Sequence, residues 1–181
     1  MKVTYISHSG FLIETKNCLF LFDYYEGKIP PLSQEKPLFI FVSHWHSDHF
    51  NPEIFSIRHE KVHYILSHDT RKHLPAGISP ENLCFMKPEE KLDFTLEDGN
   101  EHFTVETLKS TDCGVAFLIY YRRKYLYHAG DLNWWVWQGE TKQYNSNMTA
   151  NFLHYTKPLE NLDIWAAFLP LDPRQEEWYS K

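Results

Sequence analysis

The sequence predicts an α+β fold of layered sheets with helices outside, on three observations. Short β-type runs recur along the chain on both sides of helical segments, one of those runs is apolar without alternation, and the composition can support a sizeable core. Of the 181 residues, 43% are hydrophobic and 17% aromatic, enough for one domain to bury roughly 70% of its unfolded surface. No internal repeat, low-complexity tract or Gly/Ser linker interrupts the chain, so residues 1–181 read as a single domain.

The elements follow in order. Val3 to Ile6, Phe11 to Glu14 and Leu19 to Asp23 alternate with the turns His8-Ser9-Gly10 and Lys16-Asn17, which predicts an antiparallel meander. After a loop carrying Pro30-Pro31, Leu38-Phe39-Ile40-Phe41-Val42 has no polar face, the mark of a strand buried on both sides. Asn51 before Pro52 is an N-cap ahead of a proline at the first helical position, predicting a short helix to about His59. Val62 to Leu66 completes a β-α-β unit, and Asp69 to His73 reads as a helical turn. Leu83 to Met86, Leu92 to Leu96 and Phe103 to Leu108 read as strands, with Asp98-Gly99 as a turn. Val115 to Tyr121 and Tyr125 to Tyr127 form a hairpin around Arg122-Arg123-Lys124. Asn145 to Lys157 has helical character, and Ile164 to Leu169 is a last apolar strand.

Composition narrows the function. Lys and Arg number 18 against 24 Asp and Glu, a net charge of -6, so there is no basic field to grip a nucleic acid backbone. The apolar runs are too short to span a bilayer, and Met1 to Tyr5 leads straight into polar His8-Ser9-Gly10 without a signal-peptide core. Three cysteines without a CxxC pair fit a reducing, cytoplasmic setting and argue against a disulfide framework or a thiolate zinc site. Any metal must therefore bind histidine and carboxylate, and histidine is abundant at 11 residues.

Directly after the buried strand the chain reads His44-Trp45-His46-Ser47-Asp48-His49, four ligand side chains in six positions. In an extended segment residues two apart point the same way, so His44 and His46 can share one ion while the turn at Ser47 directs Asp48 and His49 to another. At the frequencies of His and Asp in this chain, HxHxDH arises by chance roughly once in five hundred such sequences. A solvated polar loop is the bland alternative, and four strong ligands gathered at a strand end argue against it.

With this motif the chain resembles the metallo-β-lactamase fold superfamily of metal-dependent hydrolases, whose HxHxDH follows a buried strand in an αββα sandwich. His8-Ser9-Gly10-Phe11-Leu12-Ile13-Glu14 is similar to the opening hairpin of its soluble bacterial members, and Asp23 resembles the acidic residue that ends the following strand. Tyr127-His128-Ala129-Gly130-Asp131-Leu132 resembles the family's GD motif, about 80 residues after HxHxDH, whose Asp bridges two metals. The resemblance implies His44 and His46 on a first metal, Asp48 and His49 on a second, Asp131 between them, and catalytic roles for Asp48 and Asp131. It implies up to two divalent ions, with zinc favoured for such a ligand set and manganese or iron compatible with it.

Two places depart from the family pattern. Where a further histidine stands before the GD motif, this chain has Ser110-Thr111-Asp112-Cys113-Gly114, in which Asp112 is either a substitute ligand or an ordinary turn residue. No histidine follows His154, so either the chain is degenerate at one site or the sequence is a fragment, truncated at the C-terminus, that lacks the usual ligand segment. His8 is either a site residue or a simple turn histidine. His128 and His68 read as packing and loop histidines, and His59, His63, His73, His102 and His154 as structural or surface residues. Asn133-Trp134-Trp135-Val136-Trp137 divides between core and a wall beside the substrate.

Three function classes follow: a metal-dependent hydrolase of a small molecule such as a lactone, ester or phosphodiester; a nuclease of the ribonuclease Z type, for which no basic groove or arm is visible; and a non-catalytic metal-binding domain with a degenerate site. The first is expected. Relatives assemble seven ligand contributions and this chain shows five, so the count predicts fewer than two ions per chain in protein purified without added metal. Elemental analysis checks it, and two tightly held ions would mean that His8 or Asp112 had been overlooked.

Overall fold

The computed structural model describes residues 1–78, 82–96, 99 and 101–178, which belong to two compact units. The first comprises Met1–Lys87 with Leu96–Asp98, the second Pro88–Thr95 with Gly99–Lys181.

The first unit is built on a six-stranded sheet in which spatial order follows sequence order: β1 (Lys2–Ser7), β2 (Gly10–Glu14), β3 (Leu19–Phe22), β4 (Leu38–Val42), β5 (Val62–Ser67) and β6 (Leu83–Met86). The expected meander is present, with β1 to β3 antiparallel, and β3 to β6 run parallel. One row of partners crosses the middle of the sheet, Phe11 to Phe22 to Phe41 to Ile65. That register decides where chemistry can sit. The C-terminal ends of β3, β4 and β5 and the β1–β2 turn all fall on one edge, so His8, Asp23 and the HxHxDH loop emerge side by side.

Every residue of β4 is buried, as its unbroken apolar run requires. On one face Leu12, Leu21, Leu38, Ile40, Val42, Tyr64 and Leu66 pack with Phe50 and Ile54 from the segment after the motif. Tyr64 turns its hydroxyl to donate to the Ile54 carbonyl, and burial pushes its phenol pKa up. The helix expected from Asn51 to His59 is a single 3-10 segment, Pro52–Ser56. Asn51 caps it as expected, accepting from the Glu53 amide, but Ile57 is already extended at φ -64° and ψ 117° and ends it. Five residues are too few to reward helix nucleation, and the segment is held by burial of Ile54 instead. A second 3-10 turn, His68–His73, follows β5 where a helical turn was expected.

In the second unit β7 (Lys91–Thr95), β8 (His102–Lys109), β9 (Val115–Tyr121) and β10 (Lys124–His128) form an antiparallel meander, and β11 (Ile164–Phe168) joins β10 in parallel. The β9–β10 hairpin turns through Arg122 and Arg123, both left-handed at φ 50° and 67°, the arrangement of a two-residue type I′ turn. Gly99 is also left-handed, at φ 67°; Asp98, expected to share its turn, lies outside the described residues. The helix α1 (Lys142–Thr156) begins three residues before the sequence reading because Thr141 caps it, its hydroxyl accepting from the Tyr144 amide. It lays Phe152 and Tyr155 over Leu108, Ala116, Leu118 and Tyr127. No helix among the described residues is long and apolar enough to cross a membrane.

Ile40 lies at the centre of β4, fully buried among the side chains of the first unit's core. Ile40→Ala should cost about 2–5 kcal/mol of stability, read as a lowered urea midpoint at unchanged slope.

Candidate metal centre

The site grows out of the edge just described. At the end of β3 the backbone turns left-handed at Asp23, φ 39°, and sends a fully buried carboxylate toward the end of β4. Its Oδ1 accepts from the Ser43 amide at 2.7 Å. Its Oδ2 accepts from the Ser43 hydroxyl at 2.6 Å and from His49 Nδ1 at 2.8 Å. Three donors at these distances offset the desolvation of a carboxylate in this position.

Two tautomers follow from those bonds. Because His49 donates through Nδ1, its lone pair lies on Nε2. Ser43 spends its proton on Asp23 and so receives one from His44 Nδ1 at 2.9 Å, which places the lone pair of His44 on Nε2 as well. Both Nε2 atoms are buried. A metal-binding histidine is commonly oriented this way, by a bond from its other ring nitrogen to a carboxylate or hydroxyl.

The loop is compact because His49 and Phe50 both donate their amides to the His46 carbonyl, at 3.0 and 2.8 Å. Asn51 then fastens it to the segment after β3, donating to the Tyr24 and Tyr25 carbonyls. The ring of His44 lies between those of His46 and His49, with centroids 4.6 and 4.1 Å away. On the far side of His49 stands His8, centroid 5.1 Å away, its Nε2 3.4 Å from the Asp48 carboxylate. One donor atom each from His8, Asp48 and His49 lie within 4.8 Å of one another. Ligand atoms around one tetrahedral zinc stand about 3.4 Å apart, so a small closing movement suffices, and His8 and Asp48 are half-exposed and able to make it. The donor set of nitrogens and a carboxylate fits a divalent ion.

Beside this cluster is an open depression of about 560 Å³, floored by His46, Asp48 and Phe50 and rimmed by Trp45 and His73. Those last two rings stack at 4.7 Å and 10°. The sequence alone gives His73 a structural or surface role and Ser43 no part in the site. Ser43 stood between a buried strand and the motif, which was the available signal; nothing local in the sequence pointed to His73.

In the second unit the GD motif follows β10. Gly130 is left-handed at φ 52°, which suits the tight approach expected of it. His128 is buried and its Nδ1 accepts from the Gly130 amide at 3.2 Å, a turn-holding role. Trp135 donates its indole N–H to the Asp131 carbonyl, fixing that loop. Trp134 bonds Thr149 of α1 and stacks on Phe152, so it packs, half-buried, against the helix. Asp112 is exposed in a turn closed by the Ser110 hydroxyl, which accepts from its amide.

No family model matches the sequence. A metal-dependent hydrolase of the UPF0173 group from Opitutus terrae is 29% identical over 146 residues, covering 72% of this chain. A Parabacteroides distasonis protein described as a metal-dependent hydrolase superposes over 93% of both chains with a TM-score of 0.53 at 14% identity. The chain shares the fold of that protein. Igni18, a metallo hydrolase from the archaeon Ignicoccus hospitalis, shares it over 71% of this chain and 59% of its own, with a TM-score of 0.51 and 17% identity. This chain spans 63% of the length of the Opitutus protein. These relatives are thus named as metal-dependent or metallo hydrolases.

Removing Asp23 leaves buried donors on Ser43 and His49 without their acceptor. Asp23→Ala should therefore cost about 2–5 kcal/mol in chemical denaturation. Metal affinity should fall about 10–100-fold in the same variant, as measured by titration calorimetry.

Proposed function

We propose that this chain is a metal-dependent hydrolase of a small molecule, a lactone, ester or phosphodiester. The observation that carries the reading is the Asp23 network, which turns the lone pairs of two buried histidines away from Asp23 and Ser43 beside Asp48 and an open depression. The names of the relatives support it.

In this reading His44 and His46 hold one ion and Asp48 and His49 a second, with Asp131 assigned between them on the sequence motif. Zinc suits the nitrogen-rich set best, and manganese or iron are compatible. A divalent ion held there lowers the pKa of water toward neutrality and polarises a carbonyl or phosphoryl oxygen.

The chain's own residues supply the rest. Asp23 and Ser43 keep His44 and His49 in a fixed tautomer, so no proton has to move before a ligand binds. Asp48, half-exposed at the floor of the depression, is placed to take a proton from an attacking water and pass it to a leaving group. Trp45, Phe50 and His73 offer an apolar wall for the body of the substrate. The acidic net charge favours a small molecule over a polynucleotide, and the cysteine content suits a cytoplasmic setting.

With zinc or manganese added, turnover of a panel of lactones, aryl esters and phosphodiesters tests the reading. His46→Ala and Asp48→Ala should each lower kcat/KM at least about a hundredfold, with thermal unfolding of the apoprotein nearly unchanged, because neither side chain belongs to the hydrophobic core. Wild-type turnover in either variant, at controlled metal, would show that this motif is not the active site.

A further inference from the structure

We infer that His8 is a metal ligand, completing with Asp48 and His49 a three-donor position within the first unit. The inference rests on the metal-dependent reading above and goes beyond it in naming a ligand from the opening hairpin, a place to which the ligand pattern of HxHxDH does not extend.

Placement comes first. The β1–β2 turn and the HxHxDH loop share one sheet edge because β2 is antiparallel to β3 and β4 parallel to it. His8 Nε2 then lies 3.4 Å from Asp48 Oδ2, and its ring meets that of His49 edge-on at 83°. The donor atoms of all three fall within 4.8 Å.

Backbone conformation is a second observation. His8 is left-handed at φ 49°, in a two-residue turn where Gly or Asn would relieve about 1 kcal/mol of strain. The turn is held down by Gly10, at which a Cβ would come within 2.9 Å of the Ser7 carbonyl and 3.3 Å of the Asp23 carbonyl. The strained residue is thus pressed onto the strand end whose Asp23 orients His49. An imidazole confined there, with its Nε2 facing a carboxylate and a second imidazole, has the chemistry of a nitrogen ligand. Counted with His44, His46, Asp48, His49 and Asp131, it raises five donors to six.

Cobalt(II) titration of the 181-residue chain tests this, followed by visible absorption and calorimetry, with zinc competition as a check. The variant of choice is His8→Asn, since asparagine tolerates the left-handed region; His8→Gly is the second, in case asparagine disturbs the turn. Wild type should take up two ions. Either variant should bind one of them at least about tenfold more weakly, with a changed ligand-field spectrum for that ion and an unchanged first ion. Asp48→Asn should weaken the same ion, and adding His8→Asn to it should bring little further loss, because both act on one position. Titration curves and spectra of both His8 variants identical to wild type would overturn the inference while leaving the hydrolase reading intact. A failure of that reading looks different: His46→Ala would then bind cobalt as wild type does.

Discussion

The buried carboxylate of Asp23 is the interaction on which the site depends. It is fully enclosed, it sits at a left-handed residue, and it faces three donors from two segments of the following loop. A carboxylate so placed is unfavourable unless every oxygen is matched, and the matching decides which nitrogen of His44 and of His49 carries a proton. The fold therefore fixes ligand chemistry before any ligand arrives. Preorganisation of this kind is what distinguishes a cluster of histidines from a metal site.

Sheet topology makes that carboxylate possible. Three adjacent parallel strands release their chains at one edge, where no further ladder bonds consume the backbone and side chains can converge. In open sheets with parallel strands ligands gather at such carboxyl ends. Here the antiparallel β1–β2 hairpin adds its own turn to the same edge, and that addition brings His8 into reach. A shift of one residue in the pairing of β2 with β3 would carry His8 away from Asp48 and turn Leu12 out of the core.

What could be read from sequence divides along the same physical lines. The strands were legible because their hydrophobic pattern is strong: the unbroken run of β4 and the short β-type runs of β1 to β3, set between turn residues, emerged within a residue or two. Helix limits were less so. Pro52 and Asn51 mark a start, but the early stop at Ile57 depends on which side chain the core accepts, and the start of α1 depended on Thr141, a capping residue among several polar candidates. In the site, HxHxDH announced itself by composition. The bonds from Ser43 and His49 to Asp23 did not, because they join positions 20 and 26 residues apart through a parallel crossover, and periodicity carries no information about such pairs. His73 reaches the rim of the depression only through the turn after β5.

Backbone strain marks the same two turns. Among the described residues, left-handed non-glycine backbone occurs at His8, Asp23, Glu89, Arg122, Arg123 and Asn161. The pair at 122 and 123 is explained by its hairpin, whose turn type demands positive φ whatever the residue. His8 and Asp23 have a different explanation. Each would be replaced by glycine or asparagine at a gain in backbone energy, yet each carries the one side chain that the neighbouring loop uses: a carboxylate to orient His49 and an imidazole beside Asp48. Such strain persists only where surrounding structure over-determines it, and Gly10 lies in close contact with both turns: a Cβ there would come within 2.9 Å of the Ser7 carbonyl and 3.3 Å of the Asp23 carbonyl.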